Sequence, residues 1–266
     1  MRKSEEVFKN LAFTTWETIN NAFKNKISYG EDAITSVNLL SLKNALLGDL
    51  LLQDTRSEES TKGCDFEFWI GSIKGGWFRY AIQAKKITAS SGRYDSLKHE
   101  VNGVLQIDIL EQYARANKAI PIYCFFNYTD DIVSAKSSCI KYRDIKELGC
   151  SITPLHTVRK ALNERGARNF SWFHKREETL PWSCLVRCPH IANHWRSSVL
   201  GIDIDQMIHE SLPEVLQPLL SENNAEKSMV KIFEDGTSDS LERNNMFSRE
   251  VKYKPSWVGV IDLDNS

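Results

Sequence analysis

Four polar residues in one short stretch have the types and spacing for phosphate chemistry: Asp65 and Glu67 in GCDFEFWIG, then Gln83 and Lys85 in YAIQAKKI. Carboxylate oxygens hold Mg2+, the metal neutralises charge on a phosphodiester, and a nearby ammonium stabilises or positions the attacking water. Residues 63–87 read as the β-hairpin that would bring them together. Phe66, Phe68, Trp69 and Ile70 form one β-rich run, and Trp77, Phe78, Tyr80, Ala81 and Ile82 form another. Gly71, Ser72, Gly75 and Gly76 lie between them. A turn centred near residue 75 makes cross-strand partners sum to about 150, which sets Asp65 opposite Lys85 and Glu67 opposite Gln83. Side chains two apart share a face, so Asp65, Glu67, Gln83 and Lys85 line one side, and Phe66, Phe68, Ile82 and Ala84 the other. A solvated antiparallel face also alternates polar and apolar residues, but it prescribes no order of residue types. Asp-X-Glu facing Gln-X-Lys between strongly apolar neighbours favours a site.

An acid at the start of one strand, followed in the next by acid-X-Lys, resembles the PD-(D/E)XK restriction-endonuclease-like superfamily, here over residues 31–127. Two positions depart from the pattern. Cys64 stands in place of the proline, and Gln83-Ala84-Lys85 carries an amide in place of the acid. Gln-X-Lys is similar to the variant in Mrr-like restriction nucleases and some antiphage effector nucleases. The resemblance implies a Mg2+- or Mn2+-dependent nuclease acting on DNA in a restriction or antiphage-defence setting. In its terms Asp65 is the central metal ligand and Glu67 or Glu31 supplies the second carboxylate. Lys85 activates or orients water, Gln83 holds that water or the scissile phosphate, and a backbone carbonyl near Ala84 completes the shell. Gln106, from the helix after the hairpin, joins the site. The implied catalytic set is therefore Asp65, Gln83, Lys85, Glu67, Glu31 and Gln106, with Asp65, Glu67 and Glu31 as metal ligands. The alternative is a nuclease-like module that binds nucleic acid or a partner protein with little or no catalysis, because Gln83 is neutral.

The elements that must position these residues follow from periodicity. A helix is expected over 4–25, with Phe8, Leu11, Trp16, Ile19 and Phe23 on one stripe. A second is expected over 31–47, opening on Glu31 and Asp32, acids that also complement a helix dipole. Residues 53–62 read as a loop. The connection after Ile87, holding Arg93 and Lys98, reads as a solvated loop, with Tyr94 and His99 left open. A helix is expected over 94–117, with Tyr113 a core aromatic whose hydroxyl is satisfied. Residues 119–128 read as a buried strand, with Pro121 near its start. Together these give an α/β fold. The resemblance implies an αβββαβ core with a mixed sheet flanked by helices, whose first strand survives only as a remnant at 50–53. Residues 1–130 form this core. Residues 131–266 form a C-terminal α+β extension packed on it, with a helix at 153–162, a strand at 182–188, a helix at 204–220 interrupted by Pro213, a polar excursion at 221–250 and a strand at 256–264.

Composition sets outer limits. With 266 residues, 41% hydrophobic and 26% charged, the chain suits one large globular domain or a domain with an appendage. A net charge of −1 gives no global basic field, so any nucleic-acid surface must be a local patch. Six scattered cysteines suit a reducing cytosol without disulfides. Cys184, Cys188, His190 and His194 show a CX3CXH spacing that matches no common zinc finger. The stretch MRKSEEVFKN lacks the apolar core of a signal peptide, and no run approaches the ~18 apolar residues of a membrane span. The expectation is a cytoplasmic protein with no membrane partner, a nucleic-acid substrate, and either copies of itself or defence proteins as partners.

Overall fold

Helical periodicity accounts for the first two elements. In α1 (Lys3–Lys24) the residues Phe8, Leu11, Ala12, Thr15, Trp16 and Ile19 recur every three or four positions and are buried as one stripe. Helix α2 (Glu31–Ala45) begins directly after Gly30 and buries Ile34, Leu39 and Leu42. It docks on α1 through the Asn38 amide, which donates to Thr15 Oγ1 at 3.1 Å. The computed structural model describes residues 3–45, 51–53, 62–130, 137, 139, 142–187, 191, 195, 204–220 and 254–264.

A short β1 (Leu51–Gln53) precedes the hairpin, which is formed by β2 (Lys62–Ser72) and β3 (Gly76–Lys86). Its pairs run from Phe66↔Ile82 to Ser72↔Gly76. The turn is therefore centred on Lys74 and not near residue 75, and Asp65 falls opposite Gln83 instead of Lys85, with Glu67 opposite Ala81. The cause is local. Ser72 Oγ accepts the Gly75 N–H at 3.1 Å, closing the loop early. A Cβ on Gly71 would lie 2.1 Å from the Gly76 carbonyl oxygen, so only glycine lets the two strands meet there. Moving the turn centre by one residue changes the partner sum by two, so which residues share a face is unaltered.

Beyond β3 the chain forms β4 (Glu100–Val101), β5 (Val104–Leu105) and α3 (Gln106–Ala116). The single helix expected over 94–117 is thus a 3-10 turn, a small hairpin and a shorter helix. Asn102 and Gly103 both take positive φ, 52° and 78°, as a tight two-residue hairpin turn demands. Strand β6 (Ile120–Phe126) is wholly buried. It is followed by β7 (Cys150–Pro154), α4 (Leu155–Asn163), α5 (Phe170–His174), β8 (Leu180–Pro181) and α6 (Cys184–Arg187). The strand expected at 182–188 is replaced by α6. The helix expected at 204–220 is two 3-10 segments flanking β9 (Ile208–His209), and Pro213 directly precedes the second. The final strand is β10 (Lys254–Asp262).

The sheet order is β1-β10-β2-β3-β6-β7-β8, with β9 also pairing β3. β10 runs parallel to β2, and β6 runs parallel to β3, so the sheet is mixed. The remnant of a first strand expected at 50–53 is β1, which lies at the sheet edge with β10 between it and the hairpin. Residues beyond 130 thus supply β7, β8, β9 and β10 to the same sheet as the hairpin. Alternation decides which helix covers which side. Phe68 meets Phe8 of α1 at 6.0 Å between ring centroids, whereas Glu67 meets Tyr113 of α3. Helices α1 and α3 therefore flank opposite faces of an α/β fold. No helix among the described residues is long and apolar enough to cross a membrane.

Candidate functional site

Where β2 and β3 stop pairing, their side chains take over the backbone's bonds. The ladder ends at Phe66↔Ile82, and one step on the Asp65 carboxylate accepts the Ala84 N–H at 2.7 Å. The same oxygen, Oδ2, accepts a hydrogen bond from the buried Gln83 amide. Asp65 Oδ1 takes no hydrogen bond from the described residues. An acid at position 83 would repel Asp65, but an amide donates to it, so the Gln-X-Lys sequence anchors the carboxylate. This differs from the expected role of Gln83 in holding water or phosphate, because its N–H is spent on Asp65.

Glu31 reaches the site from the first turn of α2. Its Oε1 accepts from Lys85 Nζ at 3.2 Å, and its Oε2 accepts from the Lys86 N–H at 2.7 Å. Lys85 is 3% exposed, so its ammonium would be costly without this partner. Three elements thus converge: α2 brings Glu31, β2 brings Asp65, and β3 brings Gln83 and Lys85. Burial pushes the Asp65 carboxyl up to about 6; Lys85 opposes the rise, while Glu31 and Asp32 add to it. A buried carboxylate in the field of two others is a place where a cation lowers the electrostatic energy.

Glu67 lies in a second network through one oxygen, while its Oε2 is buried with no hydrogen-bond partner among the described residues. It is fully buried, and its Oε1 accepts from Arg79 Nε at 2.9 Å and from the Tyr113 hydroxyl at 2.7 Å. Arg79 also donates to the Tyr113 hydroxyl and to the Asn117 carbonyl, and its guanidinium lies 5.2 Å from the Trp69 ring centre. Burial pulls the Arg79 pKa down, and Glu67 and Tyr113 more than reverse this, leaving it above the ordinary value. The network ties α3 to the sheet. Arg79 shares the parity of Gln83 and Lys85 along β3, which puts it on their face, but its pairing with Glu67 depends on the register and was not legible in the sequence.

Gln106 is the first residue of α3, and its Oε1 is buried without a hydrogen-bond partner among the described residues. Tyr123, beside Gln83 in the β3–β6 register, is likewise buried with an unpartnered hydroxyl. Burial raises its pKa, and the charge of Asp65 adds to the rise. Tyr123 was hidden in an apolar strand, with its neighbour fixed only by the parallel pairing. Tyr94, by contrast, is a core aromatic stacked on Phe125 with its hydroxyl on Asn127. His99 lies exposed at the end of the 3-10 turn Asp95–Lys98. Cys184 is buried, while Cys188, His190 and His194 lie outside the described residues.

The donor set that could hold a metal is Asp65 and Glu31. Among the described residues no group of three or more His, Cys, Asp or Glu side chains is arranged around a metal position. Two carboxylates suit Mg2+, which keeps several waters and is bound through one or two carboxylates plus substrate phosphate. No curated protein and no solved structure matches the chain. Residues 4–243 match the model of DUF6615, described as a family of unknown function, and the chain belongs to that family.

Proposed function

We propose that the protein is a Mg2+- or Mn2+-dependent nuclease with a restriction-endonuclease-like core, hydrolysing phosphodiester bonds of nucleic acid, DNA foremost, in a restriction or antiphage-defence setting. The observation that carries this reading is the convergence of Glu31, Asp65, Gln83 and Lys85 from three separate elements on the end of β3. Asp65 and Glu31 offer the carboxylate oxygens. Gln83 and the Ala84 N–H fix the orientation of Asp65, and Glu31 holds Lys85. The Lys85 ammonium, the only cation bonded within this cluster among the described residues, positions the attacking water or a phosphate oxygen for in-line displacement. A bound divalent cation supplies Lewis-acid neutralisation of the phosphate. Glu67 supports the site from behind by holding α3 on the sheet.

One substitution favours a second reading, nucleic-acid or protein binding without turnover: the neutral Gln83 leaves two acidic side chains against Lys85. Calorimetric Mn2+ titration separates the two. Under the nuclease reading wild type binds Mn2+ at one site and Asp65→Ala does not, with both proteins folded. Nucleic-acid binding by a wild type that shows no metal binding refutes it.

A further inference from the structure

A cleft of about 430 Å3 is lined by Arg93, Lys98, Arg165 and Arg168, with Glu164 as its one acid. Both oxygens of Glu164 are engaged on other groups, Oε1 by the Trp172 indole N–H at 2.8 Å and Oε2 by Arg176 at 3.8 Å. Arg93 has a loose, exposed pairing with Asp95 at 3.7 Å. Lys98, Arg165 and Arg168 have no ion-pair partner among the described residues. In a chain whose net charge is −1, this is a local concentration of four cations with little internal compensation. Their mutual repulsion is relieved by a polyanion, and guanidinium forks suit phosphate oxygens in particular.

The cleft is built, and is not a chance meeting of long side chains. Its two walls are laced by backbone bonds: Thr88 pairs with Arg93, Arg93 pairs with Asn169, and the Tyr94 N–H donates to the Arg168 carbonyl at 3.1 Å. Asn169 in turn caps α5 through the Trp172 N–H at 2.9 Å. The lacing also sets the distance to the candidate active site. Thr88 is three residues beyond Lys85, roughly 10 Å along a strand, and its bridge partner Arg93 lies roughly 5 Å to the side of it. The cleft therefore begins about 11 Å from Lys85, about three steps of 3.4 Å along a nucleic-acid strand.

We infer that the Arg93–Lys98–Arg165–Arg168 cleft binds the phosphate backbone of the nucleic-acid substrate a few nucleotides from the scissile bond. This deepens the nuclease reading and rests on it. The cleft supplies affinity and register without reading sequence, which is what phosphate contacts do.

The test is fluorescence anisotropy of a labelled DNA duplex in EDTA, which reads binding without cleavage. The variant carries Arg165→Glu and Arg168→Glu, the control is Lys74→Glu at the exposed hairpin tip, and all proteins are checked by thermal melting. The double variant is expected to bind about 10- to 100-fold more weakly, with the slope of log K against log salt reduced by about 2, whereas the control matches wild type. Arg93→Gln and Lys98→Gln, which add no negative charge, are expected to weaken binding in the same direction. Unchanged affinity and slope in the charge-reversed variant overturn the inference, as does an equal loss in Lys74→Glu. Metal-free binding is scored whether or not wild type cleaves, so failure of the nuclease reading appears separately, as absence of hydrolysis with Mg2+.

Discussion

Replacing Glu67 with glutamine distinguishes a structural carboxylate from a metal ligand. The amide keeps the shape and one acceptor but removes the charge that pairs with the Arg79 guanidinium, which is 4% exposed. Breaking a buried ion pair by removing one partner costs about 3–5 kcal/mol. At roughly 2–4 °C per kcal/mol in a chain of this size, Tm should fall by about 10 °C. Neutralising both residues, as Glu67→Gln with Arg79→Met, should recover part of the loss, with a coupling of about 1–3 kcal/mol in the double-mutant cycle. Urea melts of the four proteins give the stabilities, and Mn2+ titration of folded Glu67→Gln should give wild-type affinity. A Glu67→Gln protein within about 1 kcal/mol of wild type that has lost Mn2+ binding would refute the reasoning and return Glu67 to the metal.

Lys85→Met should abolish cleavage, and Lys85→Arg should remain poor, because a planar fork does not replace a compact ammonium between Glu31 and the substrate; single-turnover cleavage checks both. Gln83→Glu places a second carboxylate beside Asp65 and should tighten Mn2+ binding measured by calorimetry, while removing the donor that orients Asp65. His174 is held neutral by burial, its pKa lowered to about 4, with its Nε2 on Ser151 and Nδ1 on the Phe170 carbonyl. The unfolded chain takes up a proton below about 6.5 that the fold refuses until about 4, so this residue's contribution is present above 6.5 and lost as pH falls between the two, by about 3 kcal/mol. Urea melts at pH 7.5 and 4.5 should show a smaller loss in His174→Gln than in wild type.

The hairpin was legible because two β-rich runs around a glycine cluster leave few alternatives, and the shared face survived a misplaced turn because parity tolerates a shift of two in the partner sum. Glu31 was legible as an acid opening the helix before the sheet, although only tertiary packing brings it to the Lys86 N–H. Three things were not. The partner of Glu67 depended on register, since Arg79 lies across from Trp69 and not from Glu67. The insertion of β10 between β1 and β2 is a contact between residues nearly two hundred positions apart, which no local pattern encodes. The hairpin inside 94–117 was overridden by helical spacing of its apolar residues, although Asn102-Gly103 is a strong short-range turn signal.

The most direct test is cleavage of supercoiled plasmid DNA, single-stranded DNA and RNA by wild type and Asp65→Ala, each with Mg2+, with Mn2+ and with EDTA. The account predicts cleavage of DNA by wild type that requires the divalent cation and disappears in a folded Asp65→Ala protein. Cleavage that persists in Asp65→Ala, or a folded wild type that binds Mn2+ and hydrolyses none of the three, would contradict it.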